Sequence, residues 1–121
     1  CGRLFEGTPK QMYDSLNNRI GKLPEETKLY FGHEYTENNL RFALSVEAGN
    51  SEIIKKLDEV MILRSLAHFS TPTTIAEEKL TNPFLRCKSS EIKATVKYKY
   101  PDNDLNEEDV FRALRELKDV F

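Results

Sequence analysis

Cysteine and histidine each occur only twice in these 121 residues, and no long apolar run occurs anywhere. Cys1 and Cys87 form no CxxC pair, and two thiols are too few for the disulfide framework of a small secreted domain. A reducing compartment is therefore expected, cytoplasmic with mitochondrial as the alternative. No stretch approaches the roughly 20 apolar residues that a spanning helix requires, and no signal-peptide pattern opens the chain, so no membrane association is expected. Charge of neither sign dominates: 18 Lys and Arg face 20 Asp and Glu, a formal charge of −2. That balance removes any bulk electrostatic case for nucleic acid. Tyr98 and Tyr100 beside Lys97 and Lys99 are the one local hint of such a surface, and they fit a simple amphipathic edge as well. Repeats and low-complexity tracts are missing. So is an initiating methionine before "CGRLFEG", from which the chain is expected to be a segment of a longer protein.

What is present is a succession of capped amphipathic segments. "GTPKQMYDSLNNRIGKLP" offers Thr8 as cap, Pro9 at the first helical position, and Met12, Leu16 and Ile20 four residues apart before Gly21 ends the helix. Lys28 to Phe31 reads as a short strand framed by the turn formers of "LPEET". Thr36 is expected to cap a helix from about Glu37 to Ala48, with Leu40, Ala43 and Leu44 as its apolar stripe and Gly49 as its stop. A third helix starts at Ser51 and Glu52 and places Ile54, Leu57 and Met61 on one face. Thr74 can cap a short turn through "IAEEKL"; Pro83 then disfavours helical backbone at Asn82. "SSEIKATVKYKY" carries both a helix entry at Ser90 and a strand-like alternation of Val96, Tyr98 and Tyr100; helix is the preferred reading. Asn106 caps the last helix, whose stripe is Val110, Leu114, Leu117 and Phe121, with Arg112, Arg115 and Lys118 on a neighbouring basic face.

One junction concentrates chemistry. In "FGHEYTENNL" His33 lies where a strand delivers its last side chains, just before a helix start, a position at which α/β folds commonly place ligands and catalytic groups. Judged alone, a partly buried, hydrogen-bonded histidine is the commoner reading. His68, in the loop-prone "LAHFS", has no acidic or cysteine partner nearby and is read as a surface histidine; Glu25 and Glu26 are read as turn residues.

Taken together, "CGRLFEGTPKQMYDSL", "LPEETKLYFGHEYTENNLRFALSVEAGN", "TIAEEKLTNPFLR" and "RALRELKD" resemble glyoxalase II, the hydroxyacylglutathione hydrolase of the metallo-β-lactamase superfamily. The resemblance runs along nearly the whole chain but concerns only the C-terminal portion of that enzyme. It implies an α+β, mostly α-helical chain: residues 1–48 as the tail end of an αββα metallo-β-lactamase catalytic domain, and 49–121 as a helical, glutathione-binding C-terminal domain. In that family a metal-bound hydroxide attacks the thioester of S-D-lactoylglutathione and releases D-lactate and glutathione. Two divalent metal ions, zinc with iron or manganese as alternatives, lower the pKa of bound water and stabilise the developing oxyanion.

Carried onto this sequence, the resemblance makes His33 of "GHEYT" the family's late histidine ligand. The other ligands, in a "THxHxDH" motif, a further histidine and a bridging aspartate, are expected upstream of Cys1, in the missing N-terminal half. A single imidazole cannot hold a divalent ion, so the segment alone is expected to be inactive and the intact enzyme to be a monomer. By the same resemblance Arg3 lies near the peptide part of the glutathione thioester substrate, and Tyr35 offers it a phenol. Arg115 and Lys118 pair with its carboxylates, and Phe5 stands where many relatives have tyrosine. Without the resemblance, Arg115 and Lys118 would be a solvated helix face pairing with Glu107, Glu108 or Asp119. The rival reading of the whole is a non-catalytic helical interaction module whose apolar surface engages a partner.

Overall fold

A computed structural model describes residues 2–121; Cys1 lies outside them. Mostly helical, the chain folds as six α-helices and one two-stranded ribbon among the described residues. Helix α1 (Pro9–Tyr13) opens with a complete capping box: Thr8 Oγ1 accepts from the Gln11 N–H at 3.2 Å, and Gln11 Oε1 accepts from the Thr8 N–H at 2.8 Å. The segment then widens into a π-helical stretch over Asp14–Arg19 and tightens to 3₁₀ over Ile20–Lys22. Gly21 is needed there, because a Cβ would stand 2.9 Å from the Leu16 carbonyl oxygen. Met12, Leu16 and Ile20 are only half-buried.

Strand β1 (Lys28–Leu29) pairs antiparallel with β2 (Thr73–Thr74), Lys28 opposite Thr74 and Leu29 opposite Thr73. The expected strand ends two residues early. Phe31 donates its N–H to the Thr71 hydroxyl at 3.3 Å rather than to a ladder carbonyl. Helix α2 (Thr36–Val46) is capped by Tyr35, not Thr36, whose hydroxyl lies 2.6 Å from that of Ser70. It also stops before Ala48, since Glu47 turns away with φ −146° while its carboxylate engages Arg86.

Helix α3 (Ser51–Ser65) is capped by Asn50, whose side chain accepts from the N–H groups of Glu52 and Ile53. Its buried face is Ile53, Leu57 and Val60; Ile54 and Met61 are 46% and 44% exposed. The expected face was one residue out of phase. Leu57 belongs to both stripes, and adjacent apolar pairs at 53/54 and 60/61 make the pattern degenerate until α2 packs against one of them. Helix α4 (Ile75–Thr81) follows β2 through a second capping box, Thr74 with Glu77. Asn82 is extended as expected before Pro83, and Pro83–Leu85 forms a 3₁₀ turn.

The ambiguous segment is helix α5 (Ser90–Lys99), which buries Ile92 and Val96 and leaves Tyr98 exposed. Helix α6 (Glu107–Asp119) is capped by Asn106 and carries Glu107, Glu108 and Asp109 in its first turn, where acids suit the helix dipole. It buries Val110, Phe111, Ala113 and Leu114, while Phe121 lies past the helix end, 55% exposed. The main core joins Phe42 and Val46 of α2, Phe84, Cys87, Ile92 and Val96 to these α6 residues; a smaller one joins α2 and α3 through Leu40, Ala43, Ile53, Leu57 and Val60. Each buried Val, Leu, Ile or Phe side chain among them contributes about 1.5–3 kcal/mol of apolar burial. Among the described residues no helix is long and apolar enough to cross a membrane.

Candidate functional site

The loop between β1 and α2 is pinned by its acid. Glu34 accepts from the Ser70 N–H at 2.8 Å and from the Ser70 hydroxyl at 2.9 Å, with Arg64 at 3.8 Å, and Ser70 is buried. His33 and Tyr35, on either side of that anchor, are both exposed and stack with ring centroids 5.0 Å apart and planes 17° apart. Both line an open groove of about 370 Å³ whose apolar wall includes Leu16, Ile20, Leu29 and Phe31. The imidazole is thus presented outward beside the phenol, not packed in hydrocarbon. Among the described residues no three His, Cys, Asp or Glu side chains stand together in a way that could hold a metal ion.

A second cluster forms at the C-terminal end of α6. Arg115 is 4% exposed; its Nε and Nη2 donate to Asp119 Oδ1 at 3.0 and 2.7 Å, and its Nη1 donates to the Gly2 carbonyl at 2.8 Å. The guanidinium lies 5.0 Å from the Phe84 ring centroid. Arg3 Nη2 donates to the Asp119 carbonyl at 3.2 Å. Lys118 Nζ sits over the rings of Phe42 and Phe121, at 5.4 and 5.1 Å. Burial lowers the Lys118 pKa, Arg115 lowers it further, and Asp119 opposes both.

Arg112 does not belong to this group. It pairs with Asp109 at 2.8 Å and lines a polar depression with Tyr100, Asp102 and Glu116. The expected three-residue basic face fails because each step of three falls short of a turn, so Arg112 and Lys118 are rotated apart by roughly 120°. Gly2 links the two clusters, since it lines the groove and also accepts from Arg115. Phe5, 89% exposed, packs into neither.

Glu34 and Asp119 were not singled out from the sequence as site components, though Asp119 had a readable signal, its i+4 spacing from Arg115. The remaining candidates recede. His68 is exposed, and Cys87 is buried with its thiol pushed up to about 12, chiefly by that burial. Such a thiol is a poor nucleophile.

Residues 34–121 match the family described as Hydroxyacylglutathione hydrolase C-terminus. The chain belongs to that family. Hydroxyacylglutathione hydrolases of Pseudomonas savastanoi pv. phaseolicola and Vibrio campbellii are each 47% identical over the whole chain, and that of Bartonella tribocorum is 45% identical. The chain spans 46% of the first and third and 47% of the second, about half of each relative. The resemblance to the C-terminal portion of glyoxalase II is borne out. Arg3, Phe5 and His33 precede the family match but fall inside the full-length similarity to these hydroxyacylglutathione hydrolases.

Proposed function

We propose that this chain is the C-terminal half of a hydroxyacylglutathione hydrolase, a thiolesterase that converts S-D-lactoylglutathione to D-lactate and glutathione. The observation that carries the reading is similarity along all 121 residues, at 47% identity, to proteins of that name. Outward presentation of His33 beside Tyr35 in a groove supports it.

In this reading His33 donates one neutral imidazole to a pair of divalent ions, zinc with iron or manganese as alternatives. The remaining donors come from polypeptide outside this chain. An exposed imidazole on a groove wall fits that single-donor role, and the described residues do no more than that toward a metal. When bound, such ions supply a Lewis acid for the thioester carbonyl and activate water. This chain's own work is binding and orientation. Arg3, Arg115 and Lys118 meet at one corner around a single bonded acid, Asp119, leaving net positive charge suited to the two carboxylates of glutathione. Tyr35 offers a phenol from the groove; Phe5 offers a ring without a hydroxyl. Residues 1–48 would complete a metallo-β-lactamase-type domain and 49–121 would form the helical wall. The half-buried Leu16 and Ile20 and the exposed edge at Tyr30 would then be covered by the N-terminal half of the same monomer.

The test is the intact protein carrying this chain. It should hydrolyse S-D-lactoylglutathione, and His33→Ala should lower kcat by about a hundredfold or more while removing roughly one metal ion per molecule by elemental analysis. Full metal content and unchanged kcat in His33→Ala would overturn the assignment.

A further inference from the structure

We propose that Asp119 is a positioning residue for recognition of the glutathione carboxylates: it holds the Arg115 guanidinium in a fixed orientation and, through its backbone carbonyl, ties Arg3 to the same corner. The proposal rests on the binding reading above and adds a residue to it.

The geometry is specific. Both Arg115 Nε and Nη2 converge on Asp119 Oδ1, at 3.0 and 2.7 Å, which fixes the plane of the guanidinium as well as its place. The opposite edge is fixed by the bond from Nη1 to the Gly2 carbonyl, a contact between residues 113 apart in the chain. The face of the guanidinium rests on Phe84. Arg3 is then held by the Asp119 carbonyl, so two cations from opposite ends of the chain share one acidic residue. Asp119 also opposes the burial and the Arg115 charge that lower the Lys118 pKa.

Asp119 neutralises the buried Arg115, but it contributes nothing to the helix that carries it. Asp119 is the last residue of α6, where the helix dipole disfavours negative charge. Its side chain is 41% exposed, and the pair runs from arginine to acid toward the C-terminus, the weaker order on a helix. The carboxylate therefore does little for the helix and much for the orientation of a buried cation. Preorganised donors of this kind contribute to binding without reorganisation when substrate arrives.

The experiment uses the intact, metal-loaded protein with Asp119→Asn, Asp119→Glu, Arg115→Gln and Lys118→Gln. Each is assayed with S-D-lactoylglutathione and with the S-D-lactoyl thioester of N-acetylcysteamine, which carries no carboxylate. Asp119→Asn should raise KM for the glutathione thioester about tenfold, the worth of one charge-assisted hydrogen bond, with kcat retained. Its thermal midpoint should fall, because the buried Arg115 loses its counter-charge, but its kcat/KM for the carboxylate-free thioester should be unchanged, and Asp119→Glu should recover part of the lost affinity. Equal loss on both thioesters, or no change in KM while Arg115→Gln and Lys118→Gln raise it, overturns the positioning role and leaves the binding reading intact. If Arg115→Gln and Lys118→Gln both keep the wild-type KM, the binding reading itself falls.

Discussion

Glu47 shows how one residue can hold two helices together. It is 3% exposed, yet Arg86 grips both carboxylate oxygens at 2.8 Å, and Asn50 and Ser89 add further bonds. Burial works against its ionised form, but the bonds from Arg86, Ser89 and Asn50 outweigh it and keep its pKa below the ordinary 4.5. Because the folded value is the lower one, this contribution to stability is present above pH 4.5 and is lost as pH falls through the folded value. Glu47→Ala should cost about 3 kcal/mol or more in urea melts at neutral pH, since it leaves a half-buried guanidinium unpaired. Glu47→Gln should lose part of the stability decline seen below that pH. Cys87 gives a second check at this scale: in a Cys1→Ser background its thiol should resist alkylation in the native protein and react on unfolding, because burial pushes its pKa up to about 12.

At the scale of elements, the ends of helices were more legible than their faces. The capping boxes at Thr8 and Thr74, the caps at Asn106 and the extended backbone at Asn82 follow from bonds or clashes between residues two or three apart. The face of α3 did not, because two apolar stripes coexist in its sequence and packing against α2 selects one. Its C-terminus was also unread. Ala67 adopts φ +58°, with its N–H on the Arg64 carbonyl and the His68 N–H on the Leu63 carbonyl, a Schellman turn without glycine. Ala67→Gly should therefore stabilise the protein by about 0.5–1 kcal/mol in denaturant melts, as the left-handed backbone no longer crowds a Cβ. A neutral or destabilising result would show that chain entropy dominates there.

At the scale of the whole molecule, the described residues form two apolar clusters, one joining α2, α5 and α6 and one joining α2 and α3, yet leave a groove with an apolar wall open beside His33. The curated relatives are about twice as long as this chain. Expressed alone, residues 1–121 should retain no stoichiometric zinc after dialysis and should not hydrolyse S-D-lactoylglutathione; elemental analysis and a thioester assay decide both. Stoichiometric metal in that sample would mean that donors other than His33 assemble within it.

Family, helical class and the caps at Thr8, Thr74 and Asn106 could be read from the sequence, because motifs and local backbone bonds act over a few positions. Tertiary structure alone decided which side of α3 is buried. It alone joined Gly2 to Arg115 and Arg3 to Asp119 as well. Those outcomes depend on contacts between residues far apart in the chain, and a linear pattern leaves several such pairings equally compatible until the core packs and excludes all but one.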